Sequence, residues 1–343
     1  MNTLKLIVIL WKWYCMDILL ASDNNYAPLL GVTIYSLLKN NEADFNKINI
    51  FVFDDGISNK NKDKLYDISK NFKCDVVLSF IEHDDISKVL NMDIKATRSL
   101  STFARLFATS LLDESIDKIL YMDCDALVVD SLKELWETDI SNYECAAVAD
   151  ACPTYVNSFL NLPEDETHFN VGLLLINLKK WRENNLEKKF LDFIIENNGE
   201  VFHNDQGVIN VICKNNILEL HPKYNILSPF FDVSYEDVLK FYDIDNYYSK
   251  ELVEDAVDNP VFIHLTQFVN GRPWFTNATK HPLRKLFDSY VNETPFKEDV
   301  YVKDNRRLRG KFLSFTYKHF PYSWICLMFR VYRPILIRMH LGV

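Results

Sequence analysis

The sequence predicts an α/β fold with a mostly parallel sheet, because short apolar, β-branched runs alternate with stretches whose apolar residues recur at helical spacing. Residues 16–22 predict a first buried strand, and residues 27–38 carry apolar side chains on one helical face. Residues 48–53 and 75–81 predict two more strands, with a helix over 58–72 between them. Ligands of such sheets bind beyond the carboxyl ends of the strands, so polar residues at those ends are candidate site residues.

The same alternation continues around residues 119–131, ILYMDCDALVVDS, where two apolar runs flank two aspartates. Apolar runs this short and this rich in β-branched residues are typical of buried strands. Further strands are predicted over 146–149, 169–178 and 261–263. Helices are predicted over 101–107, from 179 and over 208–213, and a helix or a turn over 132–136.

The composition sets limits on function. A chain of 343 residues with 48% hydrophobic and 25% charged residues is typical of a globular protein. It has only 8 Gly and contains neither GxGxxG nor GxxxxGK[ST], which argues against a Rossmann dinucleotide site and a P-loop kinase. The 7 Cys are odd in number and form no Cys-x-x-Cys pair, so free thiols in a reducing compartment are expected.

Asp123 and Asp125 are the central candidate site residues. Two carboxylates separated by one residue point to the same side of an extended backbone. Like charges between buried segments are costly unless a cation neutralises them, and oxygen ligands select Mg²⁺ or Mn²⁺. The alternative is that the pair caps a turn between two strands.

Asp23, Asn25 and Tyr26 follow the first predicted strand and would share one crevice with the central aspartates. Tyr26 could stack on a base, while Asp23 and Asn25 bind the edge of that base. Alternatively, Asp23 and Asn25 form the turn and cap the next helix.

Arg105 lies on a predicted helix among apolar neighbours, just before the central stretch. One interpretation is an arginine whose stem is buried and whose head reaches solvent. The other is a guanidinium held by Asp123 or by a ligand phosphate.

Five segments, in this order, resemble the family 8 glycosyltransferases, which are retaining enzymes of GT-A fold: ASDNNYAPLLGVTIYSLLKNN, DKILYMDCDALVVDSLKELWETD, FNVGLLLINLKKWRE, HNDQGVIN and HLT…RPW. Any one motif is weak, but five in order are specific. The resemblance covers residues 16–295 and implies a GT-A catalytic domain, with a mixed, mostly parallel sheet flanked by helices. Residues 1–15 would be an extension, and residues 296–343 a basic, aromatic helical tail.

The resemblance also implies site residues. Asp123, Asp125 and His264 would bind Mn²⁺, or Mg²⁺, bridged to the diphosphate of UDP. Arg105 would contact the UDP-sugar, and Asp150, Asp205 and Gln206 would position the transferred sugar, with the Gln206 amide near the anomeric carbon. Further residues implied in binding the nucleotide-sugar are Ala21, Ser22, Asp23, Asn25, Tyr26, Cys124, Asn170, Gly172 and Arg272.

The chain departs from the family pattern at three places. The first turn has Asp23-Asn24 where two acidic residues are common, and Gly207 follows the Asp-Gln pair where an acidic residue is common. The last motif is longer than usual, HLTQFVNGRPW, with Arg272 in place of a lysine. This leaves open which atoms of residues 267–272 bind the diphosphate.

The resemblance implies a metal-dependent, retaining hexosyltransferase. UDP-glucose or UDP-galactose would be the substrate, and a saccharide or lipid-linked saccharide the acceptor, in assembly of a bacterial surface polysaccharide or lipopolysaccharide. The alternatives are a nucleotide-sugar hydrolase, a non-catalytic UDP-sugar-binding scaffold on a membrane, and a self-glucosylating protein.

The C-terminal segment has a different charge from the rest of the chain. Residues 305–343 hold eight Lys or Arg and no Asp or Glu, interleaved with aromatic residues, although the net charge of the protein is −10. The uncharged runs are too short to cross a bilayer. Residues 306–343 therefore predict docking on an anionic membrane, on the cytoplasmic face, and no nucleic-acid binding because the remainder is acidic. The alternative is a helix packed on the domain with its aromatic residues in the core.

Overall fold

The computed structural model describes residues 14–82 and 101–328. Within these residues, seven strands form a central sheet and three form a smaller one. The strands are β1 (Cys15–Asp23), β2 (Lys47–Asp55), β3 (Asp75–Glu82), β4 (Lys118–Met122), β5 (Ala126–Val128), β6 (Cys145–Ala149), β7 (Phe169–Asn177), β8 (Ile217–Glu219), β9 (Ile226–Leu227) and β10 (Phe262–His264).

Helices cover the faces and the ends of these sheets. They are α1 (Ala27–Asn41), α2 (Asn59–Ser69), α3 (Ser101–Ala104), α4 (Ala108–Leu111), α5 (Lys133–Glu137), α6 (Tyr155–Phe159), α7 (Leu178–Glu183), α8 (Leu186–Glu196), α9 (Asn204–Ile212), α10 (Pro229–Asp232), α11 (Tyr235–Tyr242), α12 (Lys250–Asp258), α13 (Arg284–Val291) and α14 (Leu308–His319). Short 3₁₀ turns lie at Arg105–Phe107 and Pro222–Tyr224.

The central sheet has the strand order β3-β2-β1-β4-β7-β6-β8. Strand β1 pairs in parallel with β2 and β4, β2 with β3, and β6 with β8, whereas β7 runs antiparallel to β4 and β6. Helices α1 and α2 connect the first three strands, because parallel neighbours need a crossover connection. The sequence-based expectation of a mixed, mostly parallel sheet flanked by helices is confirmed.

Helix α1 connects this core to the central aspartates. Pro28 lies in its first turn, where the missing backbone N–H costs nothing, and Leu30 and Ile34 are fully buried against the sheet. On the same helix, Thr33 Oγ1 donates to the carbonyls of Cys124 and Ala126 at 2.8 and 2.9 Å. The turn between β4 and β5 is thus fixed by the first helix of the chain.

Three predicted helix boundaries were wrong. Helix α9 begins at Asn204 rather than at residue 208, because His203 takes a left-handed conformation, with φ of 58°, and ends the preceding loop. Residues 101–107 do not form one helix, since the chain tightens into a 3₁₀ turn at Arg105. Helix α7 begins at Leu178, because the Asn177 side chain accepts from the backbone of the third residue beyond it and caps the helix.

The C-terminal segment packs on the domain with one face only. Ile325 is buried in a cluster with Phe241 and Phe268, and the Ser314 hydroxyl donates to a backbone carbonyl of the domain. The opposite face leaves large apolar side chains exposed: Leu308, Phe312, Phe315, Phe320, Trp324, Leu327 and Met328. The predicted alternative, a packed helix with its aromatic residues in the core, therefore describes one face of the segment.

Two further expectations concern the ends of the chain. Residues 1–13 of the expected extension and residues 329–343 of the expected tail lie outside the described residues, while Cys15 is the first residue of β1. Across the described ranges, no helix has the length and hydropathy needed to traverse a bilayer.

Candidate active site

The two central aspartates lie in the turn between β4 and β5, at the carboxyl end of β4. The backbone N–H of Asp123 donates to the Gly172 carbonyl at 2.8 Å, which ties this turn to β7. Strand β10 runs antiparallel to β5 with His264 opposite Ala126, and the Leu265 N–H donates to the Asp125 carbonyl at 2.9 Å. Strand pairing therefore brings His264 beside residues that lie far from it in the chain.

Asp123, Asp125 and His264 face one another. One side-chain ligand atom from each lies within 4.8 Å of the other two. His264 Nε2 is 3.3 Å from Asp125 Oδ1 and 3.7 Å from Asp123 Oδ2. The structure thus assembles the three residues that the sequence assigned to one metal site.

The second oxygen of each carboxylate is held by another group. Asp123 Oδ1 accepts from Arg105 at 2.9 Å and from the Tyr121 hydroxyl at 2.8 Å. Asp125 Oδ2 forms an ion pair with Arg272. Each carboxylate is therefore fixed in rotation and directs its remaining oxygen toward His264.

Local charges shift the titration of two of these groups. Burial alone would raise the pKa of Asp125, but Arg272 and His264 outweigh it and hold the pKa below its usual range. Burial likewise opposes protonation of His264, but its hydrogen bond to Asp125 and the two carboxylate charges raise its pKa. The site as a whole favours a positive charge between the two carboxylates.

Asn170 and Gly172 lie beneath this cluster on β7. A Cβ atom on Gly172 would lie 2.3 Å from His264 Cε1, so only glycine leaves room for the imidazole. Asn170 Oδ1 accepts from the Gly172 N–H at 2.9 Å and from Asn225 Nδ2 at 2.8 Å. Gly172 therefore leaves the space in which His264 lies, and Asn170 fixes the backbone of Gly172.

Arg105 is buried at the centre of the site, with 6% exposure, so its head does not reach solvent as one interpretation required. Its guanidinium contacts Asp123, donates to the Val171 carbonyl at 2.7 Å, and pairs through Nε with Asp205 at 2.8 Å. The same group stacks on the Tyr121 ring at 3.8 Å. Arg105 thus joins the aspartate turn to helix α9.

Helix α9 presents Asp205 and Gln206 from its first turn. Burial raises the pKa of Asp205 to about 6 despite the Arg105 charge. Gln206 Oε1 accepts from the Val171 N–H at 3.3 Å, and its Nε2 donates to Asp150 Oδ2 at 2.8 Å. The structure therefore brings together the four residues that the resemblance implied in contacting the donor or positioning its sugar, Arg105, Asp150, Asp205 and Gln206.

The turn after β1 forms the other wall of the crevice. Asp23 Oδ1 accepts from the N–H groups of Asn25 and Tyr26 at 2.8 and 2.9 Å, so Asp23 shapes the turn that leads into α1 but does not cap the helix. The Ser22 hydroxyl donates to the Asp23 carbonyl, and Ala21 is buried beneath. The Tyr26 side chain is 43% exposed and near enough to Arg272 and Asp125 to sense their charges. Its ring is accessible to a flat ligand.

Sequence reasoning missed four residues of this region: Tyr121, Asn225, His168 and His203. Tyr121 was assigned only to a buried strand, although its hydroxyl orients Asp123. Asn225 precedes β9 and reaches Asn170 across the smaller sheet, a contact with no local signal in the sequence. The two histidines lie beside Asp150, where folding brings them, and His203 also contacts Gln206, three residues along the chain.

Fold and site together define a glycosyltransferase of GT-A fold. The described structure is similar to that of the galactosyltransferase LgtC solved with donor and acceptor sugar analogs, with a TM-score of 0.64 and 25% identity over 82% of this chain and 96% of that one. The chain belongs to glycosyl transferase family 8, whose family model matches residues 17–278.

Curated relatives agree with this assignment. The chain is 32% identical to General stress protein A of Bacillus subtilis, over 81% of this chain and 94% of the relative. It is 26% identical to the lipopolysaccharide 1,2-glucosyltransferase of Escherichia coli K12, over 83% of this chain and 80% of the relative. Recognition of the family from five sequence motifs is confirmed.

Proposed function

We propose that this glycosyltransferase is metal-dependent and retaining, and that it moves glucose or galactose from a UDP-sugar to a saccharide acceptor. The observation that carries the proposal is the convergence of Asp123, Asp125 and His264 within 4.8 Å in a family 8 chain. The hexose follows from relatives and neighbours named as a lipopolysaccharide glucosyltransferase and a galactosyltransferase.

The donor set of this cluster is suited to Mn²⁺. Asp123 Oδ2, Asp125 Oδ1 and His264 Nε2 are the atoms that face one another, and Arg105, Tyr121 and Arg272 hold the remaining carboxylate oxygens. Two hard oxygens select Mg²⁺ or Mn²⁺, and one imidazole nitrogen favours Mn²⁺. Such an ion, when bound, supplies Lewis-acid stabilisation of the leaving diphosphate.

The nucleotide would lie between the turn after β1 and the aspartate turn. The exposed Tyr26 ring offers a stacking surface for uracil, and Asp23 keeps the turn in shape. Cys124, between the two aspartates, would line the same space. Arg272, which pairs with Asp125 and lies 5.0 Å from the Trp274 ring centroid, would clamp the diphosphate by bidentate hydrogen bonds.

Gln206 and Asp205 determine which retaining mechanism is proposed. A carboxylate nucleophile is the usual means of retention. Asp205, the nearest carboxylate on α9, is buried with 5% exposure and paired with Arg105. Gln206 presents an amide, which is a poor nucleophile. We therefore favour front-face exchange, in which the UDP oxygen deprotonates the incoming hydroxyl while Asp150 and Asp205 hold the surrounding side chains. A glycosyl adduct trapped on Asp205 would overturn this mechanism.

The proposed setting is assembly of a lipid-linked surface glycan at the cytoplasmic face of a membrane. The exposed aromatic face of α14 and the residues after it supports this, since basic residues such as Lys311 and Lys318 lie beside it. A lipid-linked acceptor would then meet the enzyme at the membrane surface.

UDP release from a panel of UDP-sugars with Mn²⁺ tests the proposal. We expect release with UDP-glucose or UDP-galactose that rises at least about tenfold when a saccharide acceptor is added, since the acceptor hydroxyl is the better-positioned nucleophile. Equal release with and without acceptors would favour the nucleotide-sugar hydrolase, and no release would favour the binding scaffold. A gain in intact mass by the protein alone would indicate self-glucosylation.

A further inference from the structure

A second cluster of ligand atoms lies beside the first. Asp150, His168 and His203 each place one ligand atom within 4.8 Å of the other two. None of the three belongs to the aspartate turn or to β10. We propose that they form a second metal site, selective for Zn²⁺ or a chemically similar transition metal.

The hydrogen bonds of His168 determine which of its nitrogens can bind. Asn157 Nδ2 donates to the Glu166 carbonyl at 2.7 Å, so its Oδ1 must face His168. That oxygen lies 3.1 Å from His168 Nδ1, which therefore carries the proton. The other ring nitrogen, Nε2, is left with a lone pair. A metal-binding histidine characteristically donates its second nitrogen to an oxygen in this way.

The lone pair of His168 Nε2 is buried and has no hydrogen-bond partner among residues 14–82 and 101–328. The side chain is only 6% exposed. An orphaned buried acceptor calls for a cation or for a donor from a ligand.

The orientation of the Gln206 amide shows that Asp150 and His203 also act as hydrogen-bond acceptors. Its Oε1 accepts from the Val171 N–H, so its Nε2 is the atom directed at Asp150 and at His203 Nδ1, at 2.8 and 3.3 Å. Two acceptors thus converge on one neutral amide, and a ring nitrogen of His168 lies within 4.8 Å of a ligand atom of each. His203 is held at this point by its left-handed backbone, with φ of 58°.

The donor types decide which ion is bound. Two imidazoles and one carboxylate are typical of Zn²⁺, which takes four ligands at about 2.0–2.2 Å and leaves a fourth position to water or substrate. Donors at that distance from a tetrahedral ion lie roughly 3.3–3.5 Å apart, so small side-chain rotations suffice. The first cluster, with two carboxylates and one imidazole, favours Mn²⁺ instead.

Zinc bound at this site would inhibit the enzyme. This consequence rests on the proposed function, in which Gln206 lies near the transferred sugar. The ion would compete with the Gln206 amide for Asp150 and His203 and so withdraw it from the transferred sugar. We expect added Zn²⁺ to inhibit UDP release even with saturating Mn²⁺, and His203→Asn to raise the inhibiting concentration at least tenfold.

Cobalt titration of the chelator-treated full chain tests the site without reference to activity. We expect two Co²⁺ bound per chain, with visible absorption of a four-coordinate ion, and X-ray absorption of the zinc form should show two imidazole nitrogens at the second site. His168→Asn keeps an N–H near the Nδ1 position and removes Nε2, and should lose one Co²⁺ equivalent. His203→Asn should do the same and suits the backbone, because Asn tolerates the left-handed region.

Two controls separate this site from the first. His281→Asn removes another buried histidine with an unpartnered Nε2 that belongs to neither cluster, and should leave two equivalents. Asp125→Ala should lose the first-site ion only. Unchanged cobalt stoichiometry in both His168→Asn and His203→Asn, with native circular dichroism, would overturn the second site. If His168→Asn and His203→Asn each lose one Co²⁺ equivalent but Asp125→Ala loses none, the proposed catalytic metal is overturned instead.

Discussion

The two clusters of carboxylate and imidazole differ in what surrounds them. Around Asp123 and Asp125, the neighbours are the charged side chains of Arg105 and Arg272. Around Asp150, the neighbours are a neutral glutamine amide and two imidazoles whose pKa values burial lowers. The two clusters therefore differ in how much of their negative charge the neighbouring groups already neutralise.

Adjacent residues of one helix turn connect the two clusters. Asp205 faces Arg105 and, through it, Asp123, while Gln206 faces Asp150. A movement of the first turn of α9 would change both clusters at once. The difference between them can therefore be tested by changing one cluster and measuring the other.

The largest expected effect follows removal of a first-cluster ligand. Asp125→Ala deletes one carboxylate and leaves Arg272 without its partner, so we expect turnover of the UDP-sugar to fall about 10³-fold or more, roughly 4 kcal/mol of transition-state stabilisation. Mn²⁺-dependent UDP release measures this. Asp130→Ala, an exposed aspartate five residues along, is the matched control and should change turnover little. Full activity in Asp125→Ala would refute the metal assignment.

A smaller effect is expected when the carboxylates stay and only the imidazole moves. In Gly172→Ala, the new Cβ would overlap His264, whose ring must turn away. We expect Mn²⁺ affinity to fall about 10–100-fold, the range typical of groups that orient a ligand. Isothermal titration with Mn²⁺ provides the measurement.

A double variant separates the clash from the lost ligand. Gly172→Ala with His264→Ala removes the overlap, so the melting temperature should recover toward that of His264→Ala alone, while Mn²⁺ affinity stays low. If Gly172→Ala binds Mn²⁺ as the wild type does, Gly172 does not position His264.

These residues also show what the sequence could predict and what it could not. Asp123 and Asp125 were found because their strand flanks are local, and His264 because its motif resembles a family pattern. The role of Gly172 in seating His264 depends on packing between β7 and β10, which no local pattern specifies. His168 was missed for the same reason, whereas His203 opens the HNDQGVIN motif and was given no role there.

The same limit applies to secondary structure. Strands β1 to β3 were predicted within one or two residues, because their apolar runs end at turn-forming residues. The start of α9 was missed by four residues, because the helix begins at a left-handed histidine rather than at a residue that favours capping. Unusual backbone conformations of this kind concentrate near functional sites.

The exposed apolar face of the C-terminal segment, which includes Phe312, Phe315 and Trp324, differs from both clusters because its side chains are neither buried nor charged. A triple variant, Phe312→Ser, Phe315→Ser and Trp324→Ser, changes side chains that are about half exposed. We expect the fraction bound to anionic liposomes in flotation assays to fall to background, since each aromatic side chain contributes about 1.5–3 kcal/mol on burial.

Ile195→Ser is the matched control, because Ile195 is 50% exposed on α8, outside this face. Binding should be unchanged in that variant, and wild-type binding should weaken with added salt. If the triple variant still floats with anionic liposomes, the membrane contact lies elsewhere.

The smallest expected effect concerns the attachment of this segment. Asp304 pairs with Arg306, and the hydrogen bonds that Arg306 donates to it hold the pKa of Asp304 below its usual range. Arg306 also donates to the Ser314 hydroxyl on α14. A carboxyl with a lowered folded-state pKa stabilises above the unfolded value of about 3.9, and the stabilisation is lost as pH falls toward the folded value. We therefore expect limited proteolysis near residues 304–308 to be slow at pH 7 and faster below pH ~4. In Asp304→Asn the rate should be raised at pH 7 and respond less to acid, because its side chain does not titrate. Identical pH profiles for the two proteins would show that the pair does not secure the segment.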